Sequence, residues 1–412
     1  MSVNQPASLG AAAVRPIREP VQLNWGRLTT IATVLVVIGV VGVIVGLAVG
    51  QSQRVWLTWL VDLLFFMGIA QAGVVWSAGF YLTQGRWAGS THYRLAECFW
   101  RFLPLALILF FGVVIGRDYI FPWIAHPVAN KIKAHWLSAP FLLTRDFIAI
   151  AIMVFLSWLF VGYSHSREAV IWHHQPDTIE MPPVPIRRLA PALAICYTVA
   201  YSLFAYDLIS SLSPQWHSTL FGWWYFATVY WSAICLMSFT AVLLRGLLPA
   251  VNIFSRPRVM HDLGKLIFAF SVFWMYLTYA QYLVIWYGDI PTETFFIVGR
   301  CWHHPWMILT WLTPVLLWAL PFCVLMGVLP KKTPAILGAV ALLGIIGVWD
   351  LNYILIVPSL FPDTLPLGWV ELCVTAGFLG AFIFCAIPGL RQLAEVAVSD
   401  GLETSHEAPA QH

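Results

Sequence analysis

Charge is what this sequence has least of. Only 22 Lys and Arg and 19 Asp and Glu occur in 412 residues, 10% of the chain, against 60% hydrophobic residues. Soluble domains carry about a quarter charged residues, so a soluble fold is excluded and a polytopic membrane protein is implied. The net charge of +3 is spread along the chain without a basic run, which leaves no footprint for nucleic acid. Grouped thiols are missing too. Cys98, Cys196, Cys235, Cys301, Cys323, Cys373 and Cys385 form no CxxC or CxxCH, so neither iron–sulfur ligation nor c-type haem attachment is expected of this chain. The twelve histidines (His92, His126, His135, His165, His173, His174, His217, His261, His303, His304, His406 and His412) fall in loops, tails or helix ends. A b-type haem needs imidazoles projecting from inside a bundle, so no bound haem is predicted. Residues 1–27 lack a short apolar core with a small-residue cleavage site, and the first apolar helix is expected to direct insertion itself.

Long apolar runs are abundant. Ten reach spanning length, near 28–50, 57–83, 98–121, 140–165, 189–212, 219–246, 262–287, 303–329, 333–357 and 368–391. The seventh is the most telling, because His261 to Glu293 runs from a basic polar turn through an apolar, aromatic stretch to Trp286, Tyr287 and Asp289. With the N-terminus in the cytoplasm, inside segments hold 16 Lys and Arg and outside segments 6, which predicts both termini on the cytoplasmic side. The predicted fold is therefore an all-α polytopic membrane protein of about ten transmembrane helices, two four-helix bundles and a flanking helix at each end. Its divisions are a cytoplasmic segment over 1–27, a first helix and loop over 28–56, bundles over 57–218 and 219–360, a last helix over 361–391 and a cytoplasmic tail over 392–412. A slight internal repeat supports the two bundles: Tyr206-Asp207-Leu208 and Trp349-Asp350-Leu351 both close the last helix of a bundle. Gly42, Gly46 and Gly50 give the first helix a small face that fits a partner helix or the body of the protein. The connection from Ser166 to Arg188, with PPVP, reads as irregular, and the tail as a short amphipathic continuation followed by disorder.

Under this topology the carboxylates are lopsided. Asp62, Asp118, Asp146, Asp207, Asp350 and Glu371 all fall in the outer half, whereas the inner half has only Glu97 and Asp262, expected near the surface. Asp62, Asp207 and Asp350 lie five to seven residues inside helices, about 8–10 Å deep. Ionisable groups at that depth are costly unless they face protein or water, which makes all six outer carboxylates proton-path candidates. Arg117-Asp118 and Arg145-Asp146 close one helix and open the next on the same side. They read either as interfacial ion pairs or as charges in which Arg117 and Arg145 tune the carboxylates. His303, beside Trp302 and His304, and Asp62 are the quinol-binding candidates, although a histidine in such a place also serves as a plain interfacial anchor. Polar steps such as Gln71, Ser77 and Ser157 fit a relay or ordinary interhelical bonding equally well. No residue is predicted to be catalytic by itself and none to bind metal.

LGKLIFAFSVFWMYLTYAQYLVIWYGDIP, with the preceding YDLISSLSPQWHSTLFGWWYFA, resembles the NrfD/polysulfide-reductase (PsrC-type) membrane subunits, and among them the ActF-type subunits of bacterial alternative complex III. The likeness is strongest from about Ala205 to Glu293 and leaves out the termini. It implies a multi-pass subunit of a bacterial inner membrane, built of two four-helix bundles and lacking its own redox centre. It also implies work in a respiratory or photosynthetic quinol:electron-acceptor oxidoreductase, supporting quinol or menaquinol oxidation and proton translocation. The partners implied are membrane lipid, a second NrfD-like subunit, an iron–sulfur subunit and multihaem and monohaem cytochrome c subunits, so that haem c and Fe–S clusters reside in the partners. Two alternatives stay open: the quinol-binding anchor of a simpler NrfD-type reductase, and a secondary transporter, for which Pro314 and Pro321 permit an interrupted helix.

Overall fold

The computed structural model describes residues 24–85, 89–127, 129–166, 169, 181–247 and 257–406. The predicted cytoplasmic N-terminal segment, most of the 166–188 connection and the last six residues lie outside them. The described chain is all helical and holds ten helices long and apolar enough to cross a membrane. These are α1 (Trp25–Ala48), α2 (Ser52–Leu82), α3 (His92–Ile120), α4 (Ala139–Ser164), α5 (Val184–Leu212), α6 (Phe221–Arg245), α7 (Pro257–Gly288), α8 (Met307–Val324), α9 (Pro334–Ser359) and α10 (Trp369–Leu393). The predicted runs match them within a few residues. The exception is the last helix, which continues past the expected end at residue 391 to His406.

Backbone groups cannot be left unpaired in hydrocarbon, so each run closes its own hydrogen bonds as a helix, and the departures are local. α3 breaks after Glu97 and resumes at Phe102. α5 carries a π-helical turn over Ala205–Ile209 that contains Asp207, and α8 carries another over Val315–Ala319, directly after Pro314. Proline lacks the N–H that an α-helical turn would use, and the wider turn absorbs the defect.

The pillar of the fold is α2, buried along nearly its whole length, and not α7, whose outer face is exposed. α2 packs on α3, α4 and α5, and α6 packs in the same manner on α7 and α9. The two groups meet where α2 lies against α6 and α9. Tryptophan explains much of that seam. Trp76 stacks on Tyr230 with ring centres 4.2 Å apart and donates its indole N–H to the Tyr230 carbonyl at 2.8 Å. Within the second group, Trp224 of α6 and Trp274 of α7 donate across to the Thr278 and Thr228 hydroxyls at 2.8 and 2.9 Å. A buried indole N–H without a partner is costly, so these bonds fix both helix register and rotation.

The glycine face of α1 is occupied by the protein itself. A Cβ on Gly39 would fall 2.3 Å from the Cα of Gly377 in α10, and one on Gly42 2.3 Å from the Cys373 Cβ. Only glycine allows such an approach. Gly50, with φ +80°, lies past the helix end and turns the chain into α2.

Candidate functional site

The six candidate carboxylates fall into separate environments, each set by the neighbours its helix brings. Asp62 is buried in α2, where Trp349 of α9 donates to Oδ1 at 2.8 Å and the Thr375 hydroxyl of α10 lies 3.0 Å from both oxygens. No cation reaches it among the described residues.

Arg145 does not pair with its neighbour Asp146. It crosses from α4 to α5, where Nε lies 2.8 Å and Nη2 2.7 Å from Asp207 Oδ2, and it rests over the Trp136 ring at 3.9 Å. Trp136 in turn donates to Asp207 Oδ1 at 3.0 Å. The π turn rotates Asp207 into this position, so the carboxylate is held on both oxygens. Asp146, next to Arg145 in α4, is buried with neither oxygen holding a hydrogen bond in the protein.

Glu371 belongs to a staple. Arg54 of α2 donates to both its oxygens, at 2.9 and 2.5 Å, and the Gly368 N–H adds a third bond at 2.8 Å. With Arg54 also bonded to Gln51 and the Pro366 carbonyl, this set ties α10 to α2. Arg117 and Asp118 form only a 3.7 Å contact with side chains 46% and 65% exposed, so they stand apart from the buried groups. The expectation that Arg117 tunes an inward carboxylate finds no geometry. Surface pairs of this kind contribute about 0–1 kcal/mol.

Asp350 is compensated by a single neutral donor. Thr313 of α8 donates to Oδ2 at 2.8 Å. Thr313 also lines an apolar cavity of about 390 Å³ enclosed by α6, α7, α8, α9 and the short helix Pro291–Cys301. Its walls are largely aromatic, among them Trp216, Trp224, Trp274, Tyr282 and Trp311. Gln281 and Thr310 are among the lining residues, and the amide oxygen of one and the hydroxyl of the other are buried without a bond in the protein. The volume and lining suit a flat ring that offers hydroxyls. Arg300 closes one end. Its guanidinium donates to the carbonyls of Ile354, Phe296 and Leu355 and to the Ser359 hydroxyl, all at 2.8–3.1 Å. Burial pushes its pKa down to about 9, the direction expected for a cation without a carboxylate partner.

His303 is exposed and does not line the cavity, and neither does Asp62. The two quinol-binding candidates of the sequence are thus not brought together. The cavity itself was not foreseen. Arg300, the only Lys or Arg between Lys265 and Lys331, was the available signal.

Glu97, expected near the surface, is 1% exposed. It accepts bonds from Ser77 and Ser164 at 2.5 and 2.6 Å and lies 3.1 Å from His165 Nε2. The break in α3 directly after it turns it inward between α2 and α4. Asp262 does sit near the surface, paired with Lys265 at 2.6 Å. Among the described residues no three His, Cys, Asp or Glu side chains gather as metal ligands. No protein-family model matches the chain and no curated protein is significantly similar to it.

Proposed function

We propose that this chain is a membrane subunit of a bacterial quinol:electron-acceptor oxidoreductase, of the NrfD type and ActF-like, which supports quinol oxidation and proton translocation without a redox centre of its own. The observation that carries the reading is the Thr313–Asp350 bond at the wall of an aromatic cavity. Oxidising a quinol to a quinone releases two protons and two electrons. A ring held between the tryptophans can pass a hydroxyl proton through Thr313 to Asp350, and the Gln281 oxygen can accept the other hydroxyl. The electrons leave to acceptors outside this chain, which the reading places in iron–sulfur and cytochrome c partners.

Purification of the tagged chain in mild detergent tests this directly. Recovery with haem c and a large iron–sulfur protein is expected, and a colourless single chain would overturn it. Secondary transport is the competing reading, favoured by the π turn that interrupts α8 beside the cavity. It predicts the colourless single chain together with uptake of an aromatic solute by proteoliposomes.

A further inference from the structure

The proton role proposed above rests on Asp350 of α9, whose neighbour Trp349 bonds Asp62 near the N-terminal end of α2. Glu97 lies at the opposite membrane face, against Ser77 and Tyr81 near the other end of that helix. Its surroundings differ from those of the structural pairs. Ser77 and Ser164 donate to Oε1, His165 Nε2 lies 3.1 Å from Oε2, and the Arg94 guanidinium stands off at 3.6 Å, bonded instead to the Ser164 carbonyl at 3.0 Å. Tyr81 reaches the Ser164 hydroxyl at 3.2 Å. Among the described residues, the titratable groups facing Glu97 are Arg94 and Cys98 from α3, Tyr81 from α2 and His165 from the end of α4. Of these His165 alone is both labile near neutral pH and open to solvent, with 34% of its side chain exposed.

Inward from Glu97 the polar contacts continue. Six residues before Ser77 on α2, about 9 Å deeper, Gln71 donates to Ser157 of α4 at 2.8 Å, and both are buried. One turn further, Tyr201 of α5 donates to the Met67 carbonyl at 3.2 Å. The same three helices carry Asp62, Asp146 and Asp207 at their far ends. A carboxylate serving only to pin the α3 break would need neither a solvent-facing imidazole nor a column of polar groups behind it.

We infer that Glu97 is a proton-exchange site on the face opposite Asp62 and Asp207, loaded from solvent through His165. In loading, the imidazolium Nε2–H passes its proton to the ionised Glu97 carboxylate at Oε2 and the neutral imidazole is reprotonated by hydronium at the surface; in unloading, Glu97 returns the proton to Nε2 and the imidazolium releases one to water.

The test uses the full chain in proteoliposomes and follows carboxyl C=O bands by infrared difference spectroscopy during pH steps and D₂O exchange. A band that titrates, vanishes in Glu97→Gln and exchanges about tenfold more slowly in His165→Phe is expected. Should Glu97→Gln not fold, Glu97→Asp keeps the carboxyl and is expected to move the band. A spectrum in which no titrating band responds to either Glu97 variant, or an exchange rate indifferent to His165, would overturn the inference. A chain that passes this test yet purifies without haem partners keeps Glu97 as an exchange site and loses only the quinol reading.

Discussion

Buried ionisable residues show their worth by what remains when a partner is removed. Asp207→Ala would leave the Arg145 guanidinium buried and facing Asp146, the carboxyl that had no bond of its own. Breaking a buried pair outright costs about 3–5 kcal/mol, but here a second carboxyl is at hand to ionise in its place. Asp207→Ala is therefore expected to lose clearly less stability than Asp146→Ala/Asp207→Ala, and the double variant more than the sum of the singles. Thermal unfolding in detergent as a double-mutant cycle measures this, and strict additivity would show that Asp146 cannot stand in. Thr313 poses a smaller case of the same kind. Thr313→Val leaves Asp350 Oδ2 unpaired and is expected to cost about 1–3 kcal/mol, whereas Thr313→Ser keeps the bond and most of the stability. Equal losses in the two variants would mean that the methyl group, not the hydroxyl, holds α8 to α9.

Helices in this chain were legible where one physical signal suffices. Ten apolar runs of spanning length became ten helices because a backbone in hydrocarbon has few other options. Partner choice was not legible in the same way. Arg145 looks along the sequence to Asp146, yet the π turn in α5 swings Asp207 to it, and no residue pattern announces such a turn. The break in α3 that buries Glu97 is equally silent in composition, since Glu97 closes a polar stretch that reads as a loop. Gly42 and Gly46 of α1 were visible, but Gly42 meets Cys373 of α10, more than 300 residues away, and Gly46 meets Val55 of α2, and spacing alone does not say which helix answers. The contact of α1 with α10 makes a prediction at the level of the element. Gly39→Val or Gly377→Val puts side-chain atoms where backbone now lies, an overpacking cost of about 1–3 kcal/mol. Because α1 touches chiefly α10 and α2, the loss should be local. Hydrogen exchange is expected to rise in α1 with α2–α9 unchanged. A global fall in protection would mean that α1 is integral to the core.

At the scale of the whole molecule the two helix groups repeat a placement but not a chemistry. Arg145 and Thr313 stand six positions past Ala139 and Met307, the first residues of α4 and α8, and each bonds the Asp of the aromatic-Asp-Leu in the following helix. In the first group the partner is a guanidinium, so Asp207 is compensated and held on both oxygens. In the second it is a neutral hydroxyl beside a cavity, so Asp350 retains acceptor capacity. One copy of the motif is thus suited to holding helices together and the other to taking a proton. Under the function proposed above, Asp350→Asn in the assembled complex is expected to slow quinol-driven turnover by about 100-fold, the range for loss of a general base, while melting close to the parent protein. Asp207→Asn keeps a hydrogen-bonding side chain but removes the charge facing Arg145. It is expected to lower the melting temperature and leave turnover within about tenfold. Turnover and unfolding measured on the same preparations separate the two effects. Equal turnover losses in both variants at unchanged stability would mean that the repeat conserves function as well as position, and the assignment of a structural role to Asp207 would fall.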